Sequence, residues 1–206
     1  MKFAIYKKQT LHKNNFLVVA SLLAIFIVIS AACSLPAIFP QPTEAPKSAA
    51  QPNLPPPAAP VPAAVGKTAS DFILSSLDGK QVRLSSYQGK PMLLVFFATW
   101  CPHCQNEAPL IEKVYQANKA KGLEVLAVST FSQTPPTLVA DSKNFAKQYG
   151  WSFTVVVDQS NLAQGYGVTG VPTNIGIDKS GVVRYLTAGE LNEAGLNKWV
   201  ADLLAK

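Results

Sequence analysis

Metal-binding side chains are scarce in this sequence, whose 206 residues hold three cysteines and two histidines. Structural zinc takes four ligands, and beyond Cys101 and Cys104 the second half of the chain offers only His103 and scattered carboxylates, so a zinc centre is excluded. Arginine is scarcer still, limited to Arg83 and Arg184. The net charge of +6 does not mark a nucleic-acid binder, because Lys2, Lys7, Lys8 and Lys13 supply four of those charges. From Gly66 onward 13 Lys and Arg stand against 11 Asp and Glu, and no basic stripe with interleaved aromatics is present. No internal repeat is present either, and a 48% apolar composition excludes general disorder. One domain is the expectation for this length.

Charge is also missing between Lys13 and Glu44. Within that gap Phe16 to Cys33 is a run of apolar or small residues, of a length between a signal core and the ~20 residues that span a bilayer. Lysines ahead of it hold the N-terminus in the cytoplasm, so the chain beyond it is carried outward. Ile29-Ser30-Ala31-Ala32-Cys33-Ser34 is similar to a bacterial lipoprotein cleavage site, apart from Ser30 in place of the usual leucine. Acylation at Cys33, an uncleaved helical anchor and simple secretion are the three alternatives, and all place the rest of the chain outside the cytoplasmic membrane. Residues 1–34 are thus assigned as a signal or anchor segment. Residues 35–65 form a linker, since ten of the 16 prolines lie between Leu35 and Pro62 and favour extended backbone without helix or central strand.

Residues 66–206 read as alternating strands and helices. Short strands at Phe72 to Leu74 and Gln81 to Leu84 are joined by Asp78-Gly79, a hairpin signal. Met92 to Ala98 is continuously apolar, as a central strand covered on both faces should be. A helix follows, with a stripe at Leu110, Ile111, Val114 and Ala117 that ends at Gly122. Further strands are predicted at Leu123 to Ser129, Phe153 to Val157, Thr173 to Ile177 and Val182 to Leu186. Helices are predicted at about Leu138 to Tyr149, Leu162 to Tyr166 and Asn192 to Leu204.

Cys101 and Cys104 lie three apart where the buried strand gives way to the helix. There the positive end of the helix dipole, unpaired backbone N–H groups and exposure at the strand end favour a thiolate at the first cysteine. Cys101 is therefore the expected attacking sulfur and Cys104 the resolving one. Pro102 suits the first helical turn, where an N–H has no partner. A purely structural disulfide is a poor alternative, because so short a loop restricts the unfolded chain least. Binding of Cu(I) by the thiol pair is the remaining metal alternative; no cofactor is expected.

Ala98-Thr99-Trp100-Cys101-Pro102-His103-Cys104, followed by Ala108-Pro109 and by Gly170-Val171-Pro172-Thr173, resembles the thioredoxin superfamily. Opening with Gly66 to Phe72 and containing Ser85 to Lys90, the chain is most similar to the TlpA and ResA branch of membrane-bound thiol-disulfide proteins. The resemblance implies an α/β fold with a central mixed sheet flanked by helices, an N-terminal hairpin and a helix-strand insertion at roughly Phe131 to Val157. It also implies a cis Val171-Pro172 peptide facing the cysteines, a Val171 backbone that pairs with substrate, Trp100 packed beside the sulfurs and a helix kinked at Pro109. Glu107 matches a glutamate that reductive cytochrome-maturation members carry near the thiols, while the buried aspartate of ordinary thioredoxin falls at Val95. If buried, Glu107 would tune and relay protons; the alternative is an acid favoured by the helix dipole.

The direction of electron flow is the open point. His103 between the cysteines resembles the oxidant DsbA, whereas Glu107 and the ResA-like frame favour a reductant of specific exported proteins, with apocytochrome c thiols as substrate, a membrane-embedded electron donor or acceptor as partner and a monomeric state. Potentials in the superfamily run from about −270 mV to about −120 mV. A peroxiredoxin-like thiol peroxidase is disfavoured, since Ala98 stands where a Thr or Ser is needed and no arginine is near.

Overall fold

The computed structural model describes residues 56–131 and 135–206. The apolar N-terminal segment, Cys33 and the linker up to residue 55 lie outside the described residues. Seven strands form one sheet in the order β2-β1-β5-β4-β3-β6-β7. They are β1 (Ile73–Ser76), β2 (Gln81–Arg83), β3 (Met92–Phe97), β4 (Glu124–Ser129), β5 (Thr154–Val157), β6 (Thr173–Ile177) and β7 (Val183–Ala188). The helices are α1 (Pro102–Asn118), α2 (Pro135–Gln148), α3 (Leu162–Gly165) and α4 (Glu193–Ala205).

β3, β4 and β5 run parallel, linked by α1 and α2 as parallel crossovers require. β6 lies antiparallel to β3, and β7 antiparallel to β6, while the β1–β2 hairpin closes the far side through β5. This is the mixed, helix-flanked sheet with hairpin and insertion that the resemblance implied. Every residue of β3 is buried, and its period of two divides the core. Leu93 and Val95 pack with Ile111, Val114, Leu196 and Val200 under α1 and α4. Leu94 and Phe96 face Leu162, Tyr166 and Phe72 on the other side. Phe97 joins Cys101, Cys104, Ala108 and Phe145 in a third cluster at the strand's C-terminal end.

Several boundaries moved by one to three residues. α2 begins at Pro135 rather than near Leu138, because a proline in the first helical turn gives up no hydrogen bond there. β1 extends to Ser76, whose hydroxyl accepts from the Lys80 N–H at 3.1 Å and donates to Asp78 Oδ1, and Gly79 at φ +84° turns the hairpin. Among the described residues no helix is long and apolar enough to cross a membrane.

The end of the proline-rich stretch lies against the sheet's α3 side. The Ala63 N–H donates to the Tyr166 carbonyl at 3.0 Å, and Val61 exchanges hydrogen bonds with the Ser70 hydroxyl. Gly165 and Gly167 permit the approach: a Cβ on Gly165 would meet Pro60 Cγ at 2.5 Å, and one on Gly167 would meet Pro62 Cβ at 3.2 Å.

Candidate active site

β3 carries the chain out of the core at Ala98, and Cys101 serves as the N-cap residue of α1 with an extended backbone (φ −80°, ψ 119°). Its carbonyl accepts the first helical bond from the Gln105 N–H at 3.0 Å. Pro102 occupies the first helical position, where its missing N–H costs nothing. Pro109 stands inside α1, which frees the Gln105 carbonyl one turn back from a helical partner.

Cys101 and Cys104 are both free thiols and both buried, at 6% and 3% exposure. The expected exposure of Cys101 is thus corrected. The Val171-Pro172 loop closes over it, and the Cys101 thiol donates to the Val171 carbonyl at 3.4 Å. The Val171-Pro172 peptide is cis. Burial pushes the Cys104 thiol up strongly, with smaller contributions from Cys101 and Glu107 in the same direction. Removing that proton therefore needs a base or a change in surroundings.

Glu107 resolves in favour of burial, at 0% exposure. It lies one turn past Cys104 on the same face of α1. Burial is the main cause that pushes its carboxyl up to about 7, opposed by hydrogen bonds and assisted by the nearby Glu190 carboxylate. Its Oε1 accepts from Asn174 Nδ2 at 2.8 Å and from the Leu191 N–H at 2.8 Å. Glu107 Oε2 and Asn174 Oδ1 are buried without a partner. A proton on the carboxyl would supply the missing donor, which fits a group that titrates near neutrality.

The remaining expected residues separate by exposure. Trp100 is 59% exposed, its Nε1–H donating to the Phe131 carbonyl at 3.2 Å, so it flanks the thiols on the surface rather than packing over them. Phe131, also exposed, holds a left-handed φ of +53°. His103 projects outward, with Nδ1 3.1 Å from Glu190 Oε2. His103, Val171, Pro172, Gly189, Glu190 and Asn192 line a cleft of about 400 Å³ beside the thiols. Asn174, Glu190, Leu191 and Phe131 were not singled out from the sequence. Asn174 carried a signal, being a polar side chain in the middle of a wholly buried strand; it pairs in register with Val95 of β3.

A cysteine pair at a helix start, covered by a cis-proline loop and backed by a buried acid, defines a thioredoxin-like thiol-disulfide site. The AhpC/TSA family matches residues 65–186. Thiol-disulfide oxidoreductase ResA of Geobacillus thermodenitrificans is 37% identical over 141 residues, covering 68% of this chain and 78% of that one. ResA of Bacillus thuringiensis is 34% identical over 140 residues, covering 68% and 78%. Among solved structures, a Chlorobium tepidum protein described as a putative thiol:disulfide interchange protein DsbE superposes with a TM-score of 0.62 at 30% identity, covering 69% of this chain and 99% of that one. The chain belongs to the AhpC/TSA family of thioredoxin-like proteins and is a thiol-disulfide oxidoreductase similar to ResA and DsbE.

Proposed function

We propose that this oxidoreductase works outside the cytoplasmic membrane, tethered through its N-terminal segment, as a reductant of disulfides in specific exported proteins. The buried Glu107 behind the thiol pair is the observation that carries this reading. Cys101 attacks a substrate disulfide, forming a mixed disulfide and releasing one substrate thiolate. Cys104 then attacks the Cys101 sulfur, its proton passing to the Glu107 carboxylate. The second substrate thiol leaves, the substrate has gained two electrons, and the Cys101–Cys104 disulfide that remains is recharged by a membrane-embedded donor. Val171 offers its backbone, and Trp100 its exposed ring, to the extended substrate segment. Apocytochrome c, whose haem-attachment cysteines must be reduced, fits as substrate. Lipid attachment at Cys33 fits the tether.

An oxidant of the DsbA kind is the second reading, favoured by His103 between the cysteines. Replacing Cys104 with Ala tests the common mechanism: substrates should accumulate as mixed disulfides on Cys101 that reductant dissolves. If no adduct forms, the two-cysteine mechanism is wrong. The reduction potential of the pair then separates the readings, with a value near thioredoxin's supporting the reductant and one near DsbA's the oxidant.

A further inference from the structure

Three of the four residues after β7 touch groups that surround the cysteines. The Gly189 N–H donates to the Pro172 carbonyl at 2.7 Å, which ties this loop to the cis-proline loop. Asn192 caps α4 through its side chain and the Gly195 N–H at 2.9 Å, and Leu191 donates its N–H to Glu107. Glu190 is fixed between these anchors, and its carboxylate meets the His103 ring at 3.1 Å. Its backbone is therefore fixed on both sides by hydrogen-bonded neighbours within reach of His103.

From this geometry we infer that Glu190 is a positioning residue that sets the reduction potential of the cysteine pair by neutralising His103. The inference rests on the thiol-disulfide activity of Cys101 and Cys104. A protonated imidazole on the first turn of α1, two residues from Cys101, stabilises the Cys101 thiolate, favours the dithiol form and makes the disulfide a stronger oxidant. A carboxylate bound to that imidazole cancels its field at the sulfur. His103 and Glu190 both line the cleft that Val171 and Pro172 share. The charged and titratable groups around His103 are Glu190 from the β7–α4 loop and Cys101, Cys104 and Glu107 from its own helix; the Val171-Pro172 loop contributes none. In a Cys-Pro-His-Cys sequence this pairing shifts the poise toward that of a reductant, because the residue that would favour an oxidant is paired with an acid distant in sequence.

The test is a double-mutant cycle on the exchange equilibrium with glutathione at about pH 6 and low salt, where an ordinary imidazole carries its proton most of the time. In this reaction two glutathione thiols and the protein disulfide give the protein dithiol and one glutathione disulfide. Glu190→Gln in the otherwise native protein should shift the equilibrium about threefold to tenfold toward the dithiol, tenfold being about 30 mV for a two-electron couple. In a His103→Ala background the same substitution should shift it less than twofold. Equal shifts in both backgrounds would mean that the carboxylate acts on the sulfur directly, and no shift in either would mean that it does not set the potential; each overturns the inference. A pair that fails to exchange with glutathione at all would instead remove the thiol-disulfide reading beneath it. Glu190→Asp, which keeps the charge, should restore most of the native value. A variant that merely loosened the loop would lower the melting temperature without distinguishing the two His103 backgrounds.

Discussion

Glu107→Gln converts the buried acid into an isosteric amide that cannot ionise, and its effect on stability should depend on pH. The Glu107 carboxyl is pushed from its ordinary 4.5 up to about 7 in the folded protein, chiefly by burial. Between those values the folded state holds a proton that the unfolded chain has released, so stability falls as pH rises through this window. Below about 4.5 both states are protonated and the penalty vanishes; above about 7 it is complete. The gap of about 2.5 on the pH scale, at about 1.4 kcal/mol for each step of one, gives a penalty of roughly 3–4 kcal/mol as an upper value. Glutamine carries no such penalty. Its oxygen can still accept from Asn174 and Leu191, and its N–H can donate to Asn174 Oδ1, which has no partner in the native site. A protonated Glu107 can make the same bond, so the two proteins should be close in stability at low pH and part only as the carboxyl ionises. Urea titrations of the dithiol form at pH 4.5, 6 and 8 should show the two proteins diverging steadily. With a slope near 2 kcal/mol per molar urea, the pH-dependent part should separate their midpoints by roughly 1.5–2 M at pH 8. Parallel curves would refute the argument, because they would mean that Glu107 titrates alike in the folded and unfolded states. The same variant should slow resolution of mixed disulfides if Glu107 accepts the Cys104 proton.

Two further perturbations test the scaffold. Gly167→Ala places a side chain at φ +74° and a Cβ 3.2 Å from Pro62, so it should lose about 1 to 2 kcal/mol, a fall in melting temperature of roughly 2–8 °C. Gly170→Ala, with nothing within 4 Å of the new Cβ, serves as the near-neutral control, and equal losses at both positions would count against a stabilising contact between the proline-rich stretch and Gly167. Asp158 accepts from the N–H groups of Ser160, Leu162 and Ala163 and from the Thr130 hydroxyl. Asp158→Ala should cost about 2 kcal/mol and raise amide exchange at Leu162 and Ala163 selectively; a loss of protection spread evenly over the sheet would reject a local capping role.

Local pattern determined the alternation of strands and helices. A continuous apolar run had to become a strand covered on both faces, as Met92 to Phe97 did, and Asp78-Gly79 had to turn the hairpin. The cysteine pair was equally legible as a candidate site, since its spacing and its place between strand and helix favour a reactive thiol at Cys101. Other properties depend on groups distant along the chain and so required the tertiary structure. Whether Glu107 is buried is decided by Asn174 and Leu191, 67 and 84 residues away. Cys101 is covered because the Val171-Pro172 loop folds back over it, 70 residues on. His103 is partnered because β7 delivers Glu190 from 87 residues away. Side-chain identity within a few residues sets backbone preference and reactive type. Desolvation and charge pairing, which set proton affinity and electron affinity, are properties of the space that only the folded chain encloses.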